Sequence, residues 1–137
     1  MKIKLDEGAF MPTRAHATDA GLDLRCKENV MMWPETSAKF DTGVHIELPP
    51  GYYGSIQSKS GLNTKHDIVS CGGTIDEGYT GSIVVKLYNL GHRSHLFKAG
   101  DKIAQLVIEP YIAPELEVVE ELAETDRGSN GFGSSGR

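Results

Sequence analysis

The residues best placed to do chemistry lie in five short segments. Gly73-Thr74-Ile75-Asp76-Glu77-Gly78-Tyr79-Thr80-Gly81 sets an acid and an aromatic among turn formers, ahead of a strand-like run. Such a hairpin presents backbone polar groups at its tip beside a carboxylate, although an ordinary turn with a solvated acid reads the same way. Ser58-Lys59-Ser60-Gly61-Leu62 is a polar turn. Its hydroxyls, its ammonium and its glycine-exposed amides could hold phosphate oxygens. Ala20-Gly21-Leu22-Asp23-Leu24 reads as a strand entrance with a turn acid, and Gly100-Asp101-Lys102-Ile103-Ala104-Gln105-Leu106 as a turn into a buried strand with Gln105 on its solvent face. Residues 126–137, DRGSNGFGSSGR, have almost nothing to bury and read as a flexible tail. Arg127 and Phe132 stand out there, because one suits a phosphate and the other suits stacking on a base.

A chain of 137 residues is long enough for one domain with a real core and too short for two. The net charge of −5 argues against a protein that coats nucleic acid. It leaves room for a small anionic substrate, which a few cations and amides can hold on an acidic protein. The first residues carry no apolar run that would serve as a leader or membrane span, so an intracellular, cytoplasmic protein is expected. Cys26 and Cys71 are then expected to be free thiols.

The positioning elements are expected to be strands. Apolar residues do not recur at helical spacing over any long stretch, and short β-branched or aromatic runs alternate with Gly, Pro, Asn and Asp. Strands are expected at 2–5, 22–26, 39–40, 44–48, 53–58, 68–71, 82–88, 103–109 and 116–120, with one short helix from Ser60 through Leu62 to Lys65. Many short strands at close spacing suggest a sandwich, jelly roll or barrel.

Taken in order, AGLDL, SKSGL, GTIDEGYTG, GDKIAQLVI and RGSNGFGSSG resemble the five motifs of the trimeric dUTPase family. The match runs from about Asp19 to Gly136, most of the chain. The resemblance implies an all-β, jelly-roll-like β-barrel or sandwich subunit at residues 1–125 and an arm at 126–137 that closes a neighbouring site. It implies a threefold homotrimer with that arm swapped between subunits. Motifs one, two and four of each site would come from one chain, the third from a neighbour, and the arm from the third chain. The implied activity is hydrolysis of dUTP to dUMP and pyrophosphate with Mg²⁺, which limits uracil in DNA and supplies dUMP for thymidylate synthesis.

By position, the resemblance makes Asp76 the carboxylate that activates the attacking water, and Asp23 a metal contact made through water. Lys59, Ser60, Gly61 and Gln105 would serve the phosphate end. Gly73, Thr74, Ile75 and Val84 would line the base through the main chain, and Tyr79 would pack on the deoxyribose. Arg127 would pair with the γ-phosphate, Phe132 would lie over the uracil, and Gly133 and Ser134 would add phosphate contacts.

There are departures. The second motif usually reads Arg-Ser-Gly, and Lys59 stands at its first position; Gly78 stands where an acid usually precedes the tyrosine. Two other readings share the fold, a deoxycytidine triphosphate deaminase and a regulatory nucleotide-binding protein. The deaminase pattern is not found in the sequence, and an insert of the kind such regulators often carry is not obvious. Neither a nucleic-acid partner nor a membrane is expected.

Overall fold

The computed structural model describes residues 1–130. The strands are β1 (Lys2–Leu5), β2 (Gly21–Arg25), β3 (Val30–Met32), β4 (Ser37–Asp41), β5 (Val44–Glu47) and β6 (Tyr52–Gln57). The helix α1 (Ser60–His66) follows, then β7 (Ile68–Ser70), β8 (Thr74–Ile75), β9 (Val84–Asn89), β10 (His95–Phe97) and β11 (Lys102–Pro110). The fold is all-β apart from that single short helix among the described residues.

Every strand pair is antiparallel. A four-stranded sheet runs β2-β11-β6-β8, a three-stranded one β4-β9-β7, and two ribbons pair β1 with β5 and β3 with β10. Alternation of residue type sets which face is buried. Along β9, Val85, Leu87 and Asn89 point inward, while Val84 and Lys86 point out. The inward faces meet in one core that includes Leu24, Ile83, Leu87, Ile103 and Leu106, with Phe40 and Phe97 edge to face at 5.3 Å. Cys26 is buried and Cys71 exposed, and both are free thiols.

Most expected strands form within a residue or two of their sequence bounds. Residues 116–120 do not form one. The run breaks its alternation at Val118-Val119 and pairs with no described strand, and Leu116 and Val118 stand almost fully exposed. β3, β8 and β10 went unexpected because two or three residues are too few to show a period.

One irregularity matters for the site. Between Lys102 and Ala104 the register of β11 against β2 shifts, so β11 carries a bulge there. In a regular strand, residues three apart face opposite ways. The bulge turns Lys102 onto the face that Gln105 occupies.

Candidate active site

Asp23 on β2 lies directly opposite Gln105 on β11, which in turn lies opposite Gln57 on β6. Asp23 is buried, yet its carboxylate is not alone. Lys59 Nζ approaches one oxygen to 2.5 Å and Lys102 Nζ the other to 2.6 Å. Burial pushes the Asp23 carboxyl up, but hydrogen bonds from Lys102 and Lys59 outweigh it and hold the group below the usual carboxylate range. Two ammoniums against one carboxylate leave this corner with a local excess of positive charge, suited to a phosphate.

The same arrangement explains the helix start. Lys59 is the N-cap residue of α1, and no side chain caps the helix there. Its ammonium turns away to Asp23. Ser60 and Gly61, in the exposed first turn, therefore keep backbone N–H groups without a side-chain partner from the cap position. Gln105 Nε2 donates to the Ser58 carbonyl at 3.2 Å. Gly21 makes room for it, since a Cβ there would fall 2.2 Å from the Gln105 side-chain oxygen. The second, first and fourth motifs thus form one polar corner. Gln105 is only half buried, but its amide is tied to the chain rather than idle on the solvent face.

The third motif forms a separate corner. Gly72 and Gly73 have φ of 78° and 151°, backbone that a side chain rarely adopts. That path lets the Gly73 carbonyl accept from the Ile56 N–H at 2.9 Å. Thr74 is exposed opposite Ser55. Ile75 is buried opposite Gly54, so only its main chain can face a ligand. Asp76 follows, exposed, and the Tyr79 N–H closes the turn onto the Asp76 carbonyl at 3.0 Å. The Tyr79 hydroxyl donates to the Ser82 carbonyl at 2.9 Å. Its ring lies over Gly81, where an added Cβ would sit 2.4 Å from the hydroxyl. Val84, at the start of β9, is about half exposed.

Two titratable residues whose roles the motif reading missed, Glu77 and His45, hold this turn in place. Glu77 Oε2 accepts from the Gly51 N–H and the Tyr111 hydroxyl, each at 2.8 Å. These bonds, the Gly51 one foremost, hold the Glu77 carboxyl below its usual range. On the other side His45 reaches Thr80. Neither partner is near in sequence, so no local pattern marks them. Lys102 was missed for another reason: only the bulge brings it beside Asp23.

The two corners do not meet within one chain. Gln105 is level with Gln57, whereas Ile75 is level with Gly54, which puts Asp76 about four residues further along the sheet. Four residues of strand are about 13 Å, and β8 lies three strand spacings from β2, about 14 Å more across the sheet. Asp76 and Asp23 are therefore on the order of 20 Å apart, too far to serve one bound nucleotide. Arg127 is exposed, with its Nε donating to the Asn130 carbonyl at 3.0 Å. Phe132, Gly133 and Ser134 lie outside the described residues.

Comparison with known proteins gives a consistent answer. The family model described as dUTPase matches residues 7–136. The deoxyuridine 5'-triphosphate nucleotidohydrolase of Gloeothece citriformis is 46% identical over 135 residues, covering 97% of this chain and 93% of the relative. The structure of the Staphylococcus bacteriophage 80alpha dUTPase with dUPNHPP superposes with a TM-score of 0.89 at 36% identity, covering 99% and 98% of the two chains. A dUTPase from phage phi11 of S. aureus, in a structure that reveals the coordination of a structural Mg(II) ion, gives 0.84 at 33% identity and covers 90% and 98%. On its fold, its ordered motifs and these likenesses, the chain belongs to the dUTPase family.

Proposed function

We propose that the protein hydrolyses dUTP to dUMP and pyrophosphate at sites shared among three copies of the chain. The observation that carries the shared site is the distance between the two corners. A carboxylate suited to activating water and a cationic corner suited to phosphate lie on the order of 20 Å apart in one chain, so a working site needs Asp76 from another copy. The exposed apolar side chains of Leu116, Val118 and Leu122, which have no cover in one chain, support assembly. They also suit a C-terminal segment that leaves its own subunit and delivers the arm at 126–137 to a neighbour.

At that site Asp76 holds the attacking water in line with the α-phosphorus and takes up its proton. An exposed carboxylate on a braced turn can do both. Lys59, Lys102 and the N–H groups of Ser60 and Gly61 face the phosphates, and Gln105 shapes the same corner from below. The main chain from Gly73 to Ile75, with Val84, reads the edge of the base. A cytosine there would set donor against donor and acceptor against acceptor, a costly mismatch. Tyr79, pinned over Gly81, packs on the sugar where a ribose 2'-hydroxyl would clash. Arg127, Phe132, Gly133 and Ser134 grip the triphosphate and base from the arm.

The residues present fit a Mg²⁺ ion that arrives on the substrate. Among the described residues no three His, Cys, Asp or Glu side chains are grouped to hold a metal. Asp23 keeps a lone pair on each oxygen beside its lysines, enough for a contact through water. Mg²⁺, when bound, screens the charge of the three phosphates.

Pyrophosphate release from dUTP, dCTP, dTTP and UTP tests the assignment. Release from dUTP far above the others supports it. Ammonia release from dCTP would replace it with deamination.

A further inference from the structure

His45 lies on β5, opposite Lys4 of β1. Its side chain is only 19% exposed, and both ring nitrogens are engaged. Nδ1 lies 2.8 Å from the Thr80 carbonyl oxygen, and Nε2 lies 3.1 Å from Asp6 Oδ2. A carbonyl and an ionised carboxylate can only accept. Both contacts are hydrogen bonds only if both nitrogens carry protons, that is, if His45 is an imidazolium. A neutral ring, in either tautomer, turns one contact into two acceptors facing each other.

Thr80 follows Tyr79 in the turn proposed to recognise the sugar. The segment from Tyr79 to Ile83 is tied to the same part of the fold at several points. Ser82 Oγ donates to Asp41, and the Ile83 carbonyl accepts from both the N–H and the hydroxyl of Thr42. Besides the Tyr79 N–H on the Asp76 carbonyl, the side chains from beyond Tyr79–Ser82 that anchor it among the described residues are His45 at Thr80 and Asp41 at Ser82. Only the first can change charge near neutral pH.

We propose that His45, as an imidazolium bridging Asp6 and Thr80, positions the Tyr79 turn and thereby sets discrimination between deoxyribose and ribose nucleotides. This deepens the dUTPase reading and rests on it. The surroundings favour the charged ring on balance. The Thr80 carbonyl first, then Asp6, raise the His45 pKa above the ordinary histidine value, against desolvation and the nearby Lys4. The other charges here are Lys27, which acts on Asp6 and pairs with Asp41, and the exposed Lys2–Glu47 pair on the same two strands. A histidine whose pKa is raised on folding keeps its bridge fully at lower pH and loses it as pH rises through the folded value. His45 is a positioning residue, since it touches neither the base nor the phosphates in this scheme.

The test is the ratio of kcat/KM for dUTP to that for UTP, measured from about pH 6 to about pH 9, a range that spans histidine titration. The two substrates share their triphosphate and its metal, so those titrations cancel in the ratio. In the wild type the ratio should fall about tenfold as pH rises, the effect of one charge-assisted hydrogen bond. The fall should coincide with the His45 ring titration followed by NMR. His45→Gln should be flat and low at every pH. Asp6→Asn, which removes the carboxylate but leaves the ring, should move the step to lower pH, an outcome that general loss of structure would not produce. A ratio independent of pH in the wild type and unchanged in His45→Gln would overturn the proposal. Failure of the wild type to hydrolyse dUTP at all would overturn the dUTPase reading instead. The NMR titration still judges the bridge in that case: a His45 pKa at or below the ordinary value overturns it too.

Discussion

Asp23 is the residue on which the polar corner turns, and its charge has consequences for stability as well as for binding. Its carboxyl is held below the usual range despite burial, so the stabilisation it gives is complete above the unfolded aspartate value of about 3.9 and is lost as pH falls through the folded value beneath it. Asp23→Asn should flatten part of this acid limb in denaturation experiments. At neutral pH it should also cost about 2–3 kcal/mol, below the full range for a broken buried pair because both lysines keep part of their solvation. Lys59→Ala should weaken the same brace and lower kcat/KM for dUTP about tenfold or more through a lost charged hydrogen bond. Lys59→Arg should stay near wild type, since a guanidinium can reach Asp23 and still offer a fork to phosphate. Steady-state kinetics on both variants at one Mg²⁺ concentration separates these outcomes. An alanine variant with unchanged kinetics would place Lys59 outside the site. Asp76→Asn belongs to a different class. Asp76 is exposed, so its fold and melting temperature should be unchanged while turnover falls on the order of 10²–10⁴.

At the scale of elements, the third-motif turn is positioned by contacts from outside itself. Tyr79 is held over Gly81, so Gly81→Ala should force the ring away without touching the core. The expected result is a kcat/KM for dUTP reduced about tenfold with little change in melting temperature, which circular dichroism and kinetics together would check. A variant with wild-type kinetics would show that the ring position does not matter. The turn also shows where sequence reading reaches its limit. The motif segments, the short helix after Ser60 and most strands were legible because residue type alternates locally and turn formers punctuate it. β9 and β11 are good examples, with inward Val85 and Leu87 and inward Ala104 and Leu106. Glu77 on Gly51 and Tyr111, His45 on Thr80, and Lys102 on Asp23 were not legible. The first two join residues 26 to 35 positions apart, and the third depends on a bulge that shifts a face without changing composition. Residues 116–120 failed in the opposite sense: β-branched residues suggest a strand, but strand formation needs a paired neighbour and none of the described strands pairs with them.

At the scale of the whole molecule, each proposed site draws on several copies of the chain. Removing everything after Asp126 should leave a folded protein, because among the described residues the core lies before β11's end at Pro110, and should abolish most dUTP turnover. The arm must repay about 1 kcal/mol or more per residue ordered, so its contacts to phosphate and base are expected to form only with the triphosphate bound. Two individually inactive chains then give the most direct test of the shared site. Asp76→Asn lacks the carboxylate and keeps the arm, while the chain cut after Asp126 keeps the carboxylate and lacks the arm. If each site takes Asp76 from one copy and the arm from a different copy, random mixing in a trimer restores both to about a quarter of the sites. Co-expression of the two chains at equal levels, with dUTP hydrolysis per site measured on the unfractionated trimers, should therefore recover about a quarter of wild-type activity, limited by that statistical share. A mixed trimer as inactive as its parents would contradict the account, because it would mean that the carboxylate and the arm must belong to the same chain.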